Sequence, residues 1–180
     1  YALPMDRVAQ LLYAADLIPA SGEPVMGPGI AMISHMVGGH FSTPDLLFDR
    51  DDGGRDSSDE TWELDAEAGT VEYAVRDVAF TCAIPVSDLH DNQPFPVIWY
   101  GHGYGSSRAE FLMIAWAASR VGMAACGFDY PSHAMDMGDL EDYEELLELT
   151  GLAPFVEHLA DNRARDLDND GRVDSGGDQW

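Results

Sequence analysis

The sequence contains no lysine. Its nine basic residues are all arginine, set against 33 Asp and Glu, for a net charge of −24. An acidic excess of this size repels phosphate backbones and anionic lipid headgroups, so nucleic acid and membrane surfaces are not expected partners. It favours solubility and divalent cations. No apolar run approaches the ~18 residues of a membrane span, so no transmembrane segment is expected. Only two cysteines occur, Cys82 and Cys126, without a Cys-x-x-Cys pair, which argues against a zinc or dithiol redox motif. The chain also lacks Gly-x-Ser-x-Gly, the turn that carries a serine nucleophile in many hydrolases. It starts at Tyr1 and stops at Trp180 after an acidic stretch. It therefore reads as a piece of a longer protein, and the lack of a signal peptide says nothing about export.

What is present suits a folded domain. Hydrophobic residues make up 46% of the 180 positions, enough for a packed core. The spacing of Val8, Leu11, Leu12 and Ala15 predicts a short amphipathic helix over 5–17. Residues 19–29 are punctuated by Pro and Gly and read as loop. Residues 30–37 read as a strand, and Gly38-Gly39 permits a turn or bulge before His40 and Phe41. Residues 49–60 form a polar, acidic loop. Residues 60–65 and 70–75 alternate as antiparallel strands with one wet face do. Residues 78–86 are almost continuously apolar and should be more buried.

Residues 95–134 are the most informative. Val97 to Tyr100 is a short apolar, β-prone run fit for a central strand. Gly101-His102-Gly103-Tyr104-Gly105 follows at once. Ser107-Arg108-Ala109-Glu110 has the pattern of a capping box, in which the serine caps an amide and the glutamate reaches back. Phe111, Leu112, Ile114, Ala115 and Ala118 line one face of a helix that Gly122 ends. Residues 123–128 form a second buried strand leading to Asp129-Tyr130-Pro131. Strand, helix and strand at this spacing make a βαβ unit, so the sheet is at least partly parallel. The expected fold class is α/β. The glycine loop lies at a strand's carboxyl end, where such folds bind ligands. Residues 139–162 read as mostly helical, broken between Gly151 and Pro154.

Two stretches in this region, PVIWYGHGYGSSRAEF and GMAACGFDYPSHA, together resemble the α/β-hydrolase superfamily. More narrowly the chain resembles secreted bacterial lipases and esterases, which also carry a strand similar to GGHFSTPDLL (38–47) and an acidic loop similar to 166–174. The resemblance implies a partial α/β-hydrolase fold, with antiparallel strands leading into a partly parallel sheet. Residues 1–60 would form an N-terminal extension. Residues 61–180 would form the first half of the hydrolase domain, with a helical insert over 135–162 and a calcium-like loop over 166–178. The implied parent is an exported or cell-surface serine hydrolase acting on a lipid-like or smaller ester. Its nucleophile, acid and base would lie beyond residue 180, so this piece alone would be inactive. The alternative is a non-catalytic, calcium-stabilised extracellular domain on the same scaffold.

Carried over residue by residue, the resemblance makes the backbone N–H of Tyr104 the oxyanion donor. Gly103 makes room, His102 braces the loop, and the Tyr104 side chain faces the cleft. Ser132 and Ala134 stand where the family pattern often has glycines, and His133 matches a histidine that is usually structural. No triad is composed from Ser106, Ser107, Ser132, His102 and Asp129, because none of these serines sits on a tight strand-to-helix turn with a base in reach. Leu146, Leu147, Leu149, Leu152, Phe155, Val156 and Leu159 provide an apolar face for the insert, suited to ordinary packing or to a lid. Asp166, Asp168, Asp170 and Asp174, spaced around Gly171, match a calcium loop, with Asp178 the residue able to close the shell. The family pairs the strand before the oxyanion strand with the strand after the helix. That pairing would let Cys82 and Cys126 face each other, as a disulfide or as two packed thiols.

Overall fold

The apolar runs become strands of one mixed sheet in the computed structural model, which describes residues 2–5, 31–50, 61–91, 93–133 and 153–166. In chain order the strands are β1 (Ala2–Pro4), β2 (Ile33–Asp45), β3 (Leu64–Asp65), β4 (Thr70–Val71), β5 (Ala74–Pro85), β6 (Val97–Tyr100) and β7 (Ala124–Phe128). The α-helices are α1 (Leu112–Arg120) and α2 (Ala153–Ala160). Five strands lie in the order β1-β2-β5-β7-β6, and β3 pairs with β4 in a separate hairpin. β1 pairs antiparallel with β2, β2 with β5, and β5 with β7, whereas β6 and β7 run parallel. The fold is thus a mixed sheet with a few helices, of α/β type. β6, α1 and β7 make the expected βαβ unit. β2 and β5 pair over most of their length, so strands from both sides of residue 60 share one sheet.

Local expectations are corrected at three places. β2 does not turn at Gly38-Gly39 but continues to Asp45, and its register shift lies between Ile33 and His35. The missing side chain serves packing instead. A Cβ on Gly39 would stand 2.8 Å from Phe80 Cζ, so the Phe80 ring lies across the glycine. Residues 70–75 are not one strand: Thr70–Val71 close the hairpin and Ala74 already begins β5. β6 is an edge strand among the described residues rather than a central one, pairing only with β7. Its alternate residues Val97 and Trp99 are accordingly exposed.

The two faces of the sheet differ. On one, Met36, Ala83 and Ala125 meet Phe111, Ala115 and Ala118 of the helical segment and Phe155 of α2. The small residues let α1 come close. At Gly127 an added Cβ would be 2.6 Å from the Arg108 carbonyl oxygen, so only glycine admits the helix start at this distance. Burying Phe111 alone stabilises by about 2 kcal/mol. Phe155 and Val156 are buried, so the described part of the insert packs as core. Of the helix expected over 5–17 only Met5, a buried core residue, is described; residues 6–17, residues 51–60 and the insert's Leu146, Leu147, Leu149 and Leu152 lie outside the described residues.

The opposite face carries Phe41, Phe80, Trp99 and Phe128, whose rings meet edge-on or tilted, for example 5.7 Å between Phe41 and Phe128 and 5.8 Å between Phe80 and Trp99. Cys82 and Cys126 oppose each other in the β5–β7 register on this same face. They form a disulfide with S–S 2.01 Å and Cα–Cα 4.0 Å, which closes a loop of sequence separation 44. Loop closure of that size constrains the unfolded chain by about 4 kcal/mol. The Cys82→Ala/Cys126→Ala double variant is therefore expected to unfold at a lower urea concentration, with a loss of about 4 kcal/mol. Equilibrium denaturation of oxidised, reduced and double-variant protein checks this, and reduced wild type should match the double variant.

Candidate functional site

The glycine loop 101–106 leaves the carboxyl end of β6, and the 129–133 turn leaves that of β7, so the parallel pairing places both at one end of the sheet. His102 joins them. It is buried, and its Nε2 accepts the Tyr130 backbone N–H at 3.0 Å. An amide N–H only donates, so Nε2 is bare. The ring proton is then on Nδ1, which donates to the Gly103 carbonyl oxygen at 2.9 Å. The same oxygen accepts the Ser106 N–H at 3.2 Å. The Gly103 N–H donates to Glu110 Oε2 at 2.6 Å.

Both polar groups of Gly103 are therefore held. The Gly103–Tyr104 peptide is trans, so its N–H points opposite to its carbonyl. Fixing the carbonyl toward His102 and Ser106 aims the Tyr104 N–H the other way. Among the described residues no acceptor meets it. The Tyr104 side chain is 61% exposed, and its ring stands edge-on to His133 with centroids 6.2 Å apart. His133 in turn lies 4.9 Å from the His102 ring and donates from Nδ1 to the Pro131 carbonyl oxygen at 2.9 Å. Tyr130 covers another side of His102 at 4.8 Å. His102, Gly103 and Tyr104 are thus brought together, with His133 and Tyr130 around them.

Local sequence accounts for part of this. Ser107 Oγ accepts the Ala109 N–H at 3.3 Å, the expected half of the capping box. The other half differs, because Glu110 reaches past Ser107 to the Gly103 N–H that the folded-back loop presents. Ser132 has φ 63°, a left-handed backbone that costs a residue with a Cβ about 1 kcal/mol. It keeps the conformation a glycine would adopt freely, and its N–H donates to the Arg163 carbonyl oxygen at 2.9 Å.

Beneath the loop lies a buried ion pair that sequence reasoning missed. Arg108 Nη1 donates to Asp129 Oδ2 at 2.6 Å, and the Arg108 backbone N–H donates to Asp129 Oδ1 at 2.5 Å. The guanidinium also donates to the carbonyl oxygens of Asp161, at 2.7 Å, and of His158, at the end of α2. Asp129 is thus committed to an arginine and is not the acid of a triad. A second cluster was likewise invisible: buried Asp45 is approached by Arg76, Arg163 and Arg165 at 3.4 to 3.7 Å. Burial holds the Arg163 pKa below its ordinary value, with Asp45 opposing that shift. The signal in both cases is weak, a run of scattered arginines in a chain otherwise acidic.

Asp166 is described and partly exposed; Asp168, Asp170, Asp174 and Asp178 lie outside the described residues. Among the described residues no three His, Cys, Asp or Glu side chains are placed to hold a metal ion. No described helix is long and apolar enough to cross a membrane.

The α2 end contributes one titration. His158 Nε2 donates to the Phe80 carbonyl oxygen at 2.8 Å. Burial lowers the His158 pKa below its usual 6.5; the Phe80 hydrogen bond opposes this, and Arg108 and His40 add to it. A folded-state pKa below the unfolded value means that the unfolded chain binds the proton more readily. The contribution of His158 to stability is thus present above pH 6.5 and lost as pH falls below it. His158→Gln keeps a donor for Phe80 and removes the titration, so its stability should fall less steeply than wild type between pH 7 and pH 5, roughly the histidine range. Urea midpoints across that range check it.

No family model, curated protein or solved structure matches this chain.

Proposed function

We propose that this chain is the first half of an α/β-hydrolase-type carboxylic ester hydrolase, lipase- or esterase-like and exported, and that it contributes the oxyanion loop. The observation that carries the reading is the pinned Gly103 peptide, with the Tyr104 N–H aimed away from its holders at the carboxyl end of a parallel strand. A donor that is already oriented needs no reorganisation when a carbonyl oxygen gains negative charge, which is what acyl transfer requires. The β5–β7 pairing and its disulfide further support the resemblance, because the family pairs the corresponding strands. A disulfide also suits an oxidising compartment. The substrate is a small or lipid-like ester. The serine nucleophile and its base belong to sequence following residue 180.

The test uses the longer chain that carries the nucleophile. Tyr104→Pro deletes the donor N–H and should cut turnover of a short p-nitrophenyl ester by ~10²-fold with the fold intact. Residues 1–180 alone should show no serine-dependent turnover. Unchanged turnover in a folded Tyr104→Pro variant removes the loop from the site.

Residues 166–178 are proposed to bind one structural calcium through Asp166, Asp168, Asp170, Asp174 and Asp178. Asp166 follows Arg165, whose Nη2 lies 3.7 Å from buried Asp45 Oδ2, so the loop's first residue is tied to the sheet. Hard carboxylate oxygens suit calcium, and the cation relieves their mutual repulsion. At 100 times its dissociation constant calcium should add ~2.7 kcal/mol of stability. Asp168→Ala/Asp170→Ala should abolish the gain. Melting curves in calcium and in chelator check this.

A further inference from the structure

Buried Asp45, the last residue of β2, faces three guanidiniums and holds none of them closely. Arg76 Nη1 is 3.4 Å from its Oδ2, Arg163 Nη2 is 3.7 Å from Oδ1, and Arg165 Nη2 is 3.7 Å from Oδ2. A tight guanidinium–carboxylate pair closes to about 2.8 Å. Oδ1 is also engaged by the Leu47 N–H, at 3.2 Å. Arg163 is the extreme case. Its side chain is nine-tenths buried, its Nε has no hydrogen-bond partner, and among the described residues its guanidinium donates no hydrogen bond. Burial holds its pKa below the ordinary value; Asp45 and Asp129 oppose that shift, and Arg76 and Arg165 add to it. Asp129 is already committed to Arg108. Around Asp45, three cations therefore stand against one anion, in a chain whose net charge is −24.

The cluster is held in place by the backbone and reaches solvent at one edge. Arg76 keeps 34% of its side chain exposed, against 10% for Arg163 and 4% for Arg165. The strand register sets Asp45 opposite Ala74 and Phe80 opposite Phe128, so the cluster lies toward the end of the sheet where β7 finishes. The Arg163 carbonyl oxygen accepts the Ser132 N–H at 2.9 Å, which ties the segment carrying this cation to the 129–133 turn.

We propose that Arg76, Arg163 and Arg165 form a binding site for a dianionic oxyanion of the phosphate class, free phosphate or the phosphate group of a monoester. Guanidinium forks match such oxygens in pairs. A phosphate monoester carries about −1.5 to −2 charges at pH 7, which balances the two surplus cations, whereas a monoanion leaves one uncompensated. The acidic surface does not bar a small anion from this spot, because exposed charges more than about 8 Å away are screened at physiological salt. The site uses no residue of the glycine loop and does not rest on the proposed ester chemistry.

The experiment titrates the isotope-labelled, calcium-free 180-residue chain with methyl phosphate, inorganic phosphate and acetate at constant ionic strength, and follows the arginine Nε–H signals. The Arg163 signal should shift and saturate with phosphate, and acetate should bind at least about tenfold more weakly, the equivalent of one charge-assisted hydrogen bond. Saturation by inorganic phosphate only assigns a free anion; saturation by methyl phosphate as well admits a monoester. Arg76→Gln removes the cation at the exposed edge and should weaken phosphate binding about tenfold. Arg163→Gln, read at Arg76, should weaken it at least as much. Shifts that grow without saturation in all three salts overturn the site. Acetate binding as tightly as phosphate overturns the charge match. Equal phosphate affinity in wild type and both variants makes the cluster a clamp between β2, β5 and the segment after α2, and nothing more. Amide spectra recorded beforehand establish folding, and Arg76→Gln, at the exposed edge, decides the matter if Arg163→Gln does not fold.

Discussion

The buried pair of Arg108 and Asp129 is the interaction on which the rest of the described structure depends. Both side chains are almost fully excluded from water. Taking two charges out of water costs several kcal/mol each, and only close geometry with further hydrogen bonds offsets that. Here those bonds tie the segment that carries Arg108 to two other elements. The Asp129 carboxylate, at the end of β7, takes the Arg108 backbone N–H and its side chain. The guanidinium then reaches the carbonyls of His158 and Asp161 at the end of α2, where the helix dipole favours a cation. One arginine thereby fixes the start of the α1 segment, the end of β7 and the docking of α2. Removing either partner would strand a buried charge.

The glycine loop sits directly on this clamp. Ser107 and Arg108 fix where its helix begins, and Asp129 fixes where the facing turn begins. His102 spans the gap between the two, with one ring nitrogen for each side. A neutral imidazole suits this task, because it supplies one donor and one acceptor in a single rigid plane. The consequence is a loop in which both polar groups of Gly103 are engaged, while among the described residues no acceptor meets the Tyr104 N–H. Backbone held at Gly103 in this way fixes the direction of the peptide that follows it, which links the loop to the packing below.

Some of this was legible in the residues. The βαβ unit follows from an apolar run, a capping serine, a helical stripe and a second apolar run, and each of those signals is local. The apolar face of α1 is buried at Phe111, Ala115 and Ala118, as its spacing requires. The loop over 101–106 was legible as a break between strand and helix, because glycines there end the apolar run and Ser107 starts the helical segment. Gly38-Gly39 misled, since glycine marks both turns and close packing, and only the ring of Phe80 decides between them. The same holds for Glu110: its sequence position suits a cap, but the carboxylate binds whichever amide the fold brings nearer.

The order of apolar and polar residues by itself determined the α/β class and the elements around residues 97–128, because those are short-range consequences of periodicity, capping and glycine. It also placed two cysteines in strands without deciding that they bond. Only tertiary structure decided that Cys82 faces Cys126 and that β6 lies at the described sheet's edge. Tertiary structure also made Arg108 the partner of Asp129 and gathered three arginines at Asp45. Those outcomes turn on which distant residues share a dehydrated space. In such a space a charge must find its counter-charge and an amide its acceptor, whatever their separation along the chain.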